Sequence, residues 1–136
     1  MTAQSAVTPN SRILLVEDHE HIRKLVRASI KPLAVEVDEV LNTGDALRAL
    51  SQEDHGYGVI ILDVMLPGPM NGFELCHLIK KSDEFSGAPR PFVLMLTARA
   101  QVSDRQAAAE SGADVFMTKP FSPLELLKVV RSQFSA

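Results

Sequence analysis

The chain has 136 residues, 46% of them hydrophobic and 23% charged, with a formal net charge of −3. That is enough apolar material for one core and too little length for two, and a mildly acidic balance gives no electrostatic basis for binding nucleic acid or an anionic membrane. A single cysteine, Cys76, excludes an internal disulfide and a cysteine-based zinc cage, and no apolar run approaches the ~18–20 residues that span a bilayer.

Residues 1–10 carry Thr, Ser, Ala and Pro with neither a basic start nor an apolar block. They read as a short disordered tail, not a secretory signal, ahead of one domain over 11–136 in a cytoplasmic protein. Residues 12–16 hold the run Ile13-Leu14-Leu15-Val16, a strand. Ile22, Leu25, Val26, Ser29 and Ile30 come next at helical spacing. Residues 35–40 alternate Val-Glu-Val-Asp-Glu-Val, a more polar strand, and 43–50 form a helix with Thr43 as its N-cap. Gly56-Tyr57-Gly58 reads as a turn, and 59–62 as a third strand. A helix over 71–81 places Phe73, Leu75, Cys76, Leu78 and Ile79 on one side. A fourth strand covers 92–96, and an Ala-rich helix covers 102–111 until Gly112 stops it. A fifth strand runs over 115–118, and Ser122-Pro123 opens a last helix reaching about Phe134.

Strand and helix alternate five times, the pattern of a parallel sheet with crossover helices. The first, third and fourth strands are continuous apolar runs, as expected where both faces are covered. The second is broken by Glu36, Asp38 and Glu39 and suits an edge. The fold class is α/β, a doubly wound (βα)₅ sheet in the order 2-1-3-4-5.

The residues at the strand ends are more informative than the strands themselves. The first strand ends in Glu17-Asp18, the third in Asp63, the fourth in Thr97 and the fifth near Lys119. In an open parallel sheet these carboxyl ends share one crevice, where ligands bind. Crowded carboxylates repel unless a cation compensates them, and an all-oxygen donor set suits Mg²⁺. With Lys119 as a second positive charge and Thr97 as a hydroxyl donor, Asp63 is placed as the nucleophile of a phosphoryl transfer.

Four pieces carry a family likeness: Ile13-Leu14-Leu15-Val16-Glu17-Asp18, Asp63-Val64-Met65-Leu66-Pro67, Met95-Leu96-Thr97-Ala98 and Lys119-Pro120-Phe121. In this order, at these strand ends, the chain resembles a single-domain, CheY-like response-regulator receiver from about 12 to 134. The resemblance implies that Asp63 is the phosphoacceptor of a two-component phosphorelay. It implies that Glu17, Asp18, Asp63 and the backbone carbonyl of Met65 bind Mg²⁺, and that Thr97 and Lys119 contact the phosphoryl group. It also implies a cis Lys119–Pro120 bond, with Thr97 and Phe116 as switch residues. The implied donor is a sensor histidine kinase or a histidine phosphotransfer protein. Such a domain catalyses only its own phosphorylation and dephosphorylation, and its downstream contact is expected on the fourth helix, fifth strand and last helix. Within that last helix, Val129 falls outside the arc of Leu126, Leu127, Val130 and Phe134, which marks it for a partner or homodimer contact.

Two features depart from the common pattern. The loop Leu66-Pro67-Gly68-Pro69-Met70-Asn71-Gly72 is longer by one residue, and the switch position holds Phe116 where many members carry Tyr. The first keeps open a phosphorylation-independent interaction module. An aspartyl phosphatase is disfavoured because Met65 stands where a general acid is needed. A flavodoxin-like cofactor carrier is disfavoured by the acidic Glu17-Asp18-His19-Glu20 after the first strand. Cys76 reads as a core residue, and His19, His21, His55 and His77 as surface residues forming no ligand cluster.

Overall fold

A computed structural model describes residues 11–82, 90–98 and 101–134, so the expected tail over 1–10 lies outside the described residues. The chain alternates β1 (Arg12–Val16), α1 (Glu20–Ile30), a 3₁₀ turn (Lys31–Leu33), β2 (Val37–Val40), α2 (Thr43–Leu50), β3 (Tyr57–Leu62), α3 (Gly72–Lys81), β4 (Phe92–Thr97), α4 (Val102–Ser111), β5 (Val115–Thr118) and α5 (Pro123–Ser132). All neighbouring strands are parallel, in the order β2-β1-β3-β4-β5. The polar strand is at an edge, as its composition requires.

Strand side chains alternate between faces, and each apolar run therefore feeds two cores. Leu14, Val16, Ile60, Leu62, Val93 and Met95 pack with Leu75, Cys76 and Ile79 of α3, Ala46 of α2 and Ala108 of α4. Ile13, Leu15, Val59, Ile61, Leu94 and Leu96 pack with Val26 and Ile30 of α1 and Leu126 and Val130 of α5. Among the described residues no helix is long and apolar enough to cross a membrane.

Several boundaries differ from the sequence reading, each for a tertiary reason. Tyr57 is not in a turn: it begins β3, buried, with its hydroxyl donating to Asp38 of β2 at 2.5 Å and the Arg12 guanidinium 4.7 Å over its ring. Burial first, then the hydrogen bond and charge of Asp38, push the Tyr57 hydroxyl up to about 12. His55 is half-buried against the same ring, its Nδ1 accepting from the Tyr57 N–H at 2.9 Å, so it is no plain surface residue. The strand β2 starts at Val37, not Val35, although the Ile13 N–H already bonds the Glu36 carbonyl. The last helix ends at Ser132, with Phe134 packed beyond it. Leu25 is half-exposed on α1, and Val129, not Leu127, reaches the core from α5.

The N-cap of α2 is Asn42, whose side chain accepts from the Asp45 N–H, and not Thr43. Thr43 is fully buried and holds the long loop instead. Its Oγ1 donates to the Met70 carbonyl at 2.8 Å and its N–H bonds the Pro67 carbonyl at 3.1 Å. Between these anchors Gly68 adopts φ +126°, and a Cβ there would lie 2.4 Å from Thr43 Oγ1. The loop over 67–70 is thus pinned against the start of α2.

Candidate functional site

The site forms where β1, β3, β4 and β5 end, because parallel register puts all their carboxyl ends on one edge. Asp63 comes directly after β3 and is 4% exposed. Its N–H bonds the Val16 carbonyl, so the strand pairing itself fixes the backbone. Behind it stands Gly72, the first residue of α3. A Cβ at Gly72 would come within 2.1 Å of the Asp63 carbonyl oxygen, so only glycine lets α3 approach this closely.

Lys119 crosses from the end of β5 and joins two carboxylates. Its Nζ donates to Asp63 Oδ2 at 2.8 Å and to Glu17 Oε1 at 2.9 Å. The side chains of Lys119, Asp63 and Glu17 are 13%, 5% and 2% exposed, so this is a largely buried charge triad. The Met65 N–H donates to Asp63 Oδ1 at 3.2 Å, and the Thr97 hydroxyl also bonds the Asp63 carboxylate. Burial alone would raise the Asp63 carboxyl, but Lys119, by hydrogen bond and charge, with Met65 and Thr97, holds it below its ordinary value. Burial likewise works against the Lys119 ammonium and is outweighed by Asp63 and Glu17, which raise it. The Asp63 carboxylate is therefore ionised and oriented.

Asp18 sits at the rim, about a third exposed. The donor atoms of Glu17, Asp18 and His19 lie within 4.8 Å of one another. Glu17 Oε2, the oxygen not used by Lys119, is 3.0 Å from His19 Nδ1, and Asp18 Oδ1 is 3.3 Å from the same nitrogen. The sequence leaves His19 as a surface residue next to the acidic pair, and the structure turns its ring onto both carboxylates. The structure brings together Glu17, Asp63, Thr97 and Lys119 directly and places Asp18 and His19 beside them. For Met65 it shows the N–H contact to Asp63, with the side chain exposed. The Lys119–Pro120 bond is cis.

Phe116 lies on β5, partly buried, with the Arg105 guanidinium of α4 at 5.1 Å from its ring centre. Beside it opens a cleft of about 270 Å³ lined by residues that include Arg105, Phe116, Thr118, Phe121, Glu125 and Val129. The flanking α4 buries only Asp104, Ala108 and Ser111 and leaves Val102 80% exposed.

A sequence model described as "Response regulator receiver domain" matches residues 13–131. The transcriptional regulatory protein GltR of Pseudomonas aeruginosa is 38% identical over 120 residues, covering 88% of this chain and 47% of GltR. The chain spans about half the length of the curated relatives it matches. Among solved structures, the BeF₃-activated receiver domain of DrrB, a Thermotoga maritima protein, is 32% identical with a TM-score of 0.75, covering 90% of this chain and 96% of that one. The chemotaxis response regulator CheY4 of Vibrio cholerae is 28% identical with a TM-score of 0.75, covering 93% and 99%.

Proposed function

The chain belongs to the response regulator receiver domain family, and from that premise we propose that Asp63 is its phosphoacceptor, supplied by a sensor histidine kinase or a histidine phosphotransfer protein in the cytoplasm. The observation that carries this reading is the Asp63 carboxylate, ionised and held between Lys119 and Thr97 at the end of β3. An Asp63 carboxylate oxygen forms the new O–P bond as the P–N bond to the donor imidazole breaks. The imidazole nitrogen keeps the electron pair and takes a proton from solvent. Lys119 and Thr97 are within reach of the charge on the transferred group, so the domain assists its own modification.

Glu17, Asp18 and Asp63, with the Met65 backbone carbonyl, fit a hard divalent cation by the oxygen chemistry of the set and by the spacing of Glu17 and Asp18. These residues would hold Mg²⁺, which would supply positive charge against the phosphoryl oxygens. Incubation with acetyl phosphate and Mg²⁺ is expected to add one phosphoryl group by intact mass, and chelation by EDTA to prevent it. Asp18→Asn is expected to weaken Mg²⁺ binding and slow labelling about tenfold or more. Labelling that ignores both EDTA and this substitution removes the metal assignment; no labelling under any condition favours the phosphorylation-independent module.

The signalling surface is α4, β5 and α5. The thinly buried α4 shifts at low cost, Thr97 leads into it, and Phe116 borders the cleft beside Val129. A preference of about 1.4 kcal/mol for one of two arrangements changes their ratio tenfold. With Mg²⁺ and beryllofluoride, amide chemical-shift changes are expected to extend from Asp63 to Val102–Ser111 and Phe116. Changes confined to the pocket would rule this route out.

A further inference from the structure

We propose that His19 Nδ1 is a further ligand of the cation held by Glu17, Asp18 and Asp63, so that the site prefers a nitrogen-seeking ion such as Ni²⁺ over Mg²⁺ more strongly than oxygen donors alone would make it. This rests on the reading that the acidic pair holds a cation, and it adds a residue to that site. The two oxygens of Glu17 are divided: Oε1 accepts from Lys119, and Oε2 faces His19. The nearby Arg23 is turned elsewhere, donating to the Glu17 backbone carbonyl and to Glu39. Glu17 Oε2, Asp18 Oδ1 and His19 Nδ1 thus form one open triangle.

Its dimensions fit a coordination shell. Adjacent donors around an octahedral ion with bonds of about 2.1 Å are about 3.0 Å apart. The two measured edges at His19 Nδ1 are 3.0 Å and 3.3 Å. The ring nitrogen is engaged only with these two carboxylates, by hydrogen bond to Glu17 Oε2 and contact with Asp18 Oδ1, which a cation seated between them would replace. His19 is the N-cap residue of α1 but makes no side-chain cap bond, and its side chain is 57% exposed. Its backbone N–H is tied locally, to Glu17 Oε2 at 3.1 Å. An all-oxygen set favours Mg²⁺, Ca²⁺ or Mn²⁺, whereas imidazole favours ions later in the first transition row. Ni²⁺ and Mg²⁺ are both octahedral and close in size, so their ratio isolates the contribution of the nitrogen. His21, whose ring centre is 5.8 Å from that of His19, is the neighbouring imidazole that serves as control.

The test is calorimetric titration of wild type, His19→Ala and His21→Ala with Mg²⁺ and with Ni²⁺ at one fixed neutral pH, with circular dichroism to confirm folding. The expected result is a fall of about tenfold or more in the Ni²⁺-to-Mg²⁺ affinity ratio for His19→Ala and none for His21→Ala. The visible absorption bands of bound Ni²⁺ should move to longer wavelength in His19→Ala, as a nitrogen donor is lost. An unchanged ratio and spectrum in His19→Ala, with Mg²⁺ still bound by wild type, overturns the role of His19 and leaves the acidic site standing. A loss seen in His21→Ala instead assigns the nitrogen to that ring and equally overturns it. If wild type binds neither ion, the cation reading of the acidic pair fails first and takes this inference with it.

Discussion

Asp63→Ala is expected to abolish phosphorylation by acetyl phosphate and by any phosphohistidine donor, with intact-mass measurement returning the unmodified protein. The loss is expected to be complete because the proposal makes this side chain the reacting group, and neither neighbouring carboxylate is held in the same way. Glu17 keeps one oxygen on Lys119 and turns the other to His19, and Asp18 stands at the rim. Neither has one oxygen bonded by Lys119 and the other by a backbone N–H, as Asp63 has from Lys119 and Met65. The variant stays folded, since Lys119 retains Glu17 and the backbone of residue 63 is tied into the β1–β3 pairing. Circular dichroism and urea unfolding separate lost chemistry from lost structure. A variant labelled to the wild-type yield would show that Asp63 is not the acceptor.

Lys119→Met carries the largest expected cost in stability. It takes the shared cation away from two buried carboxylates and puts an apolar chain in its place. Breaking one partner out of a buried ion pair costs about 3–5 kcal/mol; the opening of this site to water on one side favours the lower figure, about 3 kcal/mol near neutral pH. The pH dependence has a definite sign. In wild type Asp63 lies below its ordinary value of 3.8, so its contribution is present above that value and fades as pH falls through the lowered one. Lys119 lies above 10.5, so its contribution is present below that value and fades as pH rises through the raised one. Without the lysine, burial is left to work on the Asp63 carboxyl and raises it. The variant is then relieved by protonation in mild acid, while wild type is not. Urea unfolding should show the gap wide near pH 7 and narrower near pH 4. A gap independent of pH would mean that Lys119 contributes through packing and not through charge.

The sheet was legible because two-sided burial writes continuous apolar runs into β1, β3 and β4 and leaves β2 polar at the edge. The convergence of Asp63, Thr97 and Lys119 was legible for a related reason: once the strands are parallel, their ends must meet. What stayed hidden depends on partners far away in sequence or on how the chain folds back on itself. Gly56-Tyr57-Gly58 looks like a turn until Asp38 and Arg12 are placed around Tyr57. Thr43 has the chemistry of a cap, but Asn42 takes that role and Thr43 bonds a loop 27 residues on. His19 carries no spacing signal, because its partners are its own two predecessors folded back by the start of α1. The division of the Glu17 oxygens depends on a lysine 102 residues away.

The strap over 67–70 is pinned by Thr43, and its junction with α3 is pressed against the Asp63 carbonyl at Gly72. Between Asp63 and Gly72 the chain leaves Met65, Pro67 and Pro69 facing outward. The exposed prolines therefore point away from Asp63. The outline that Pro67 and Pro69 show to a visiting protein is thus set apart from the groups that hold the Asp63 carboxylate, and substitutions at these two prolines are expected to change the first and spare the second.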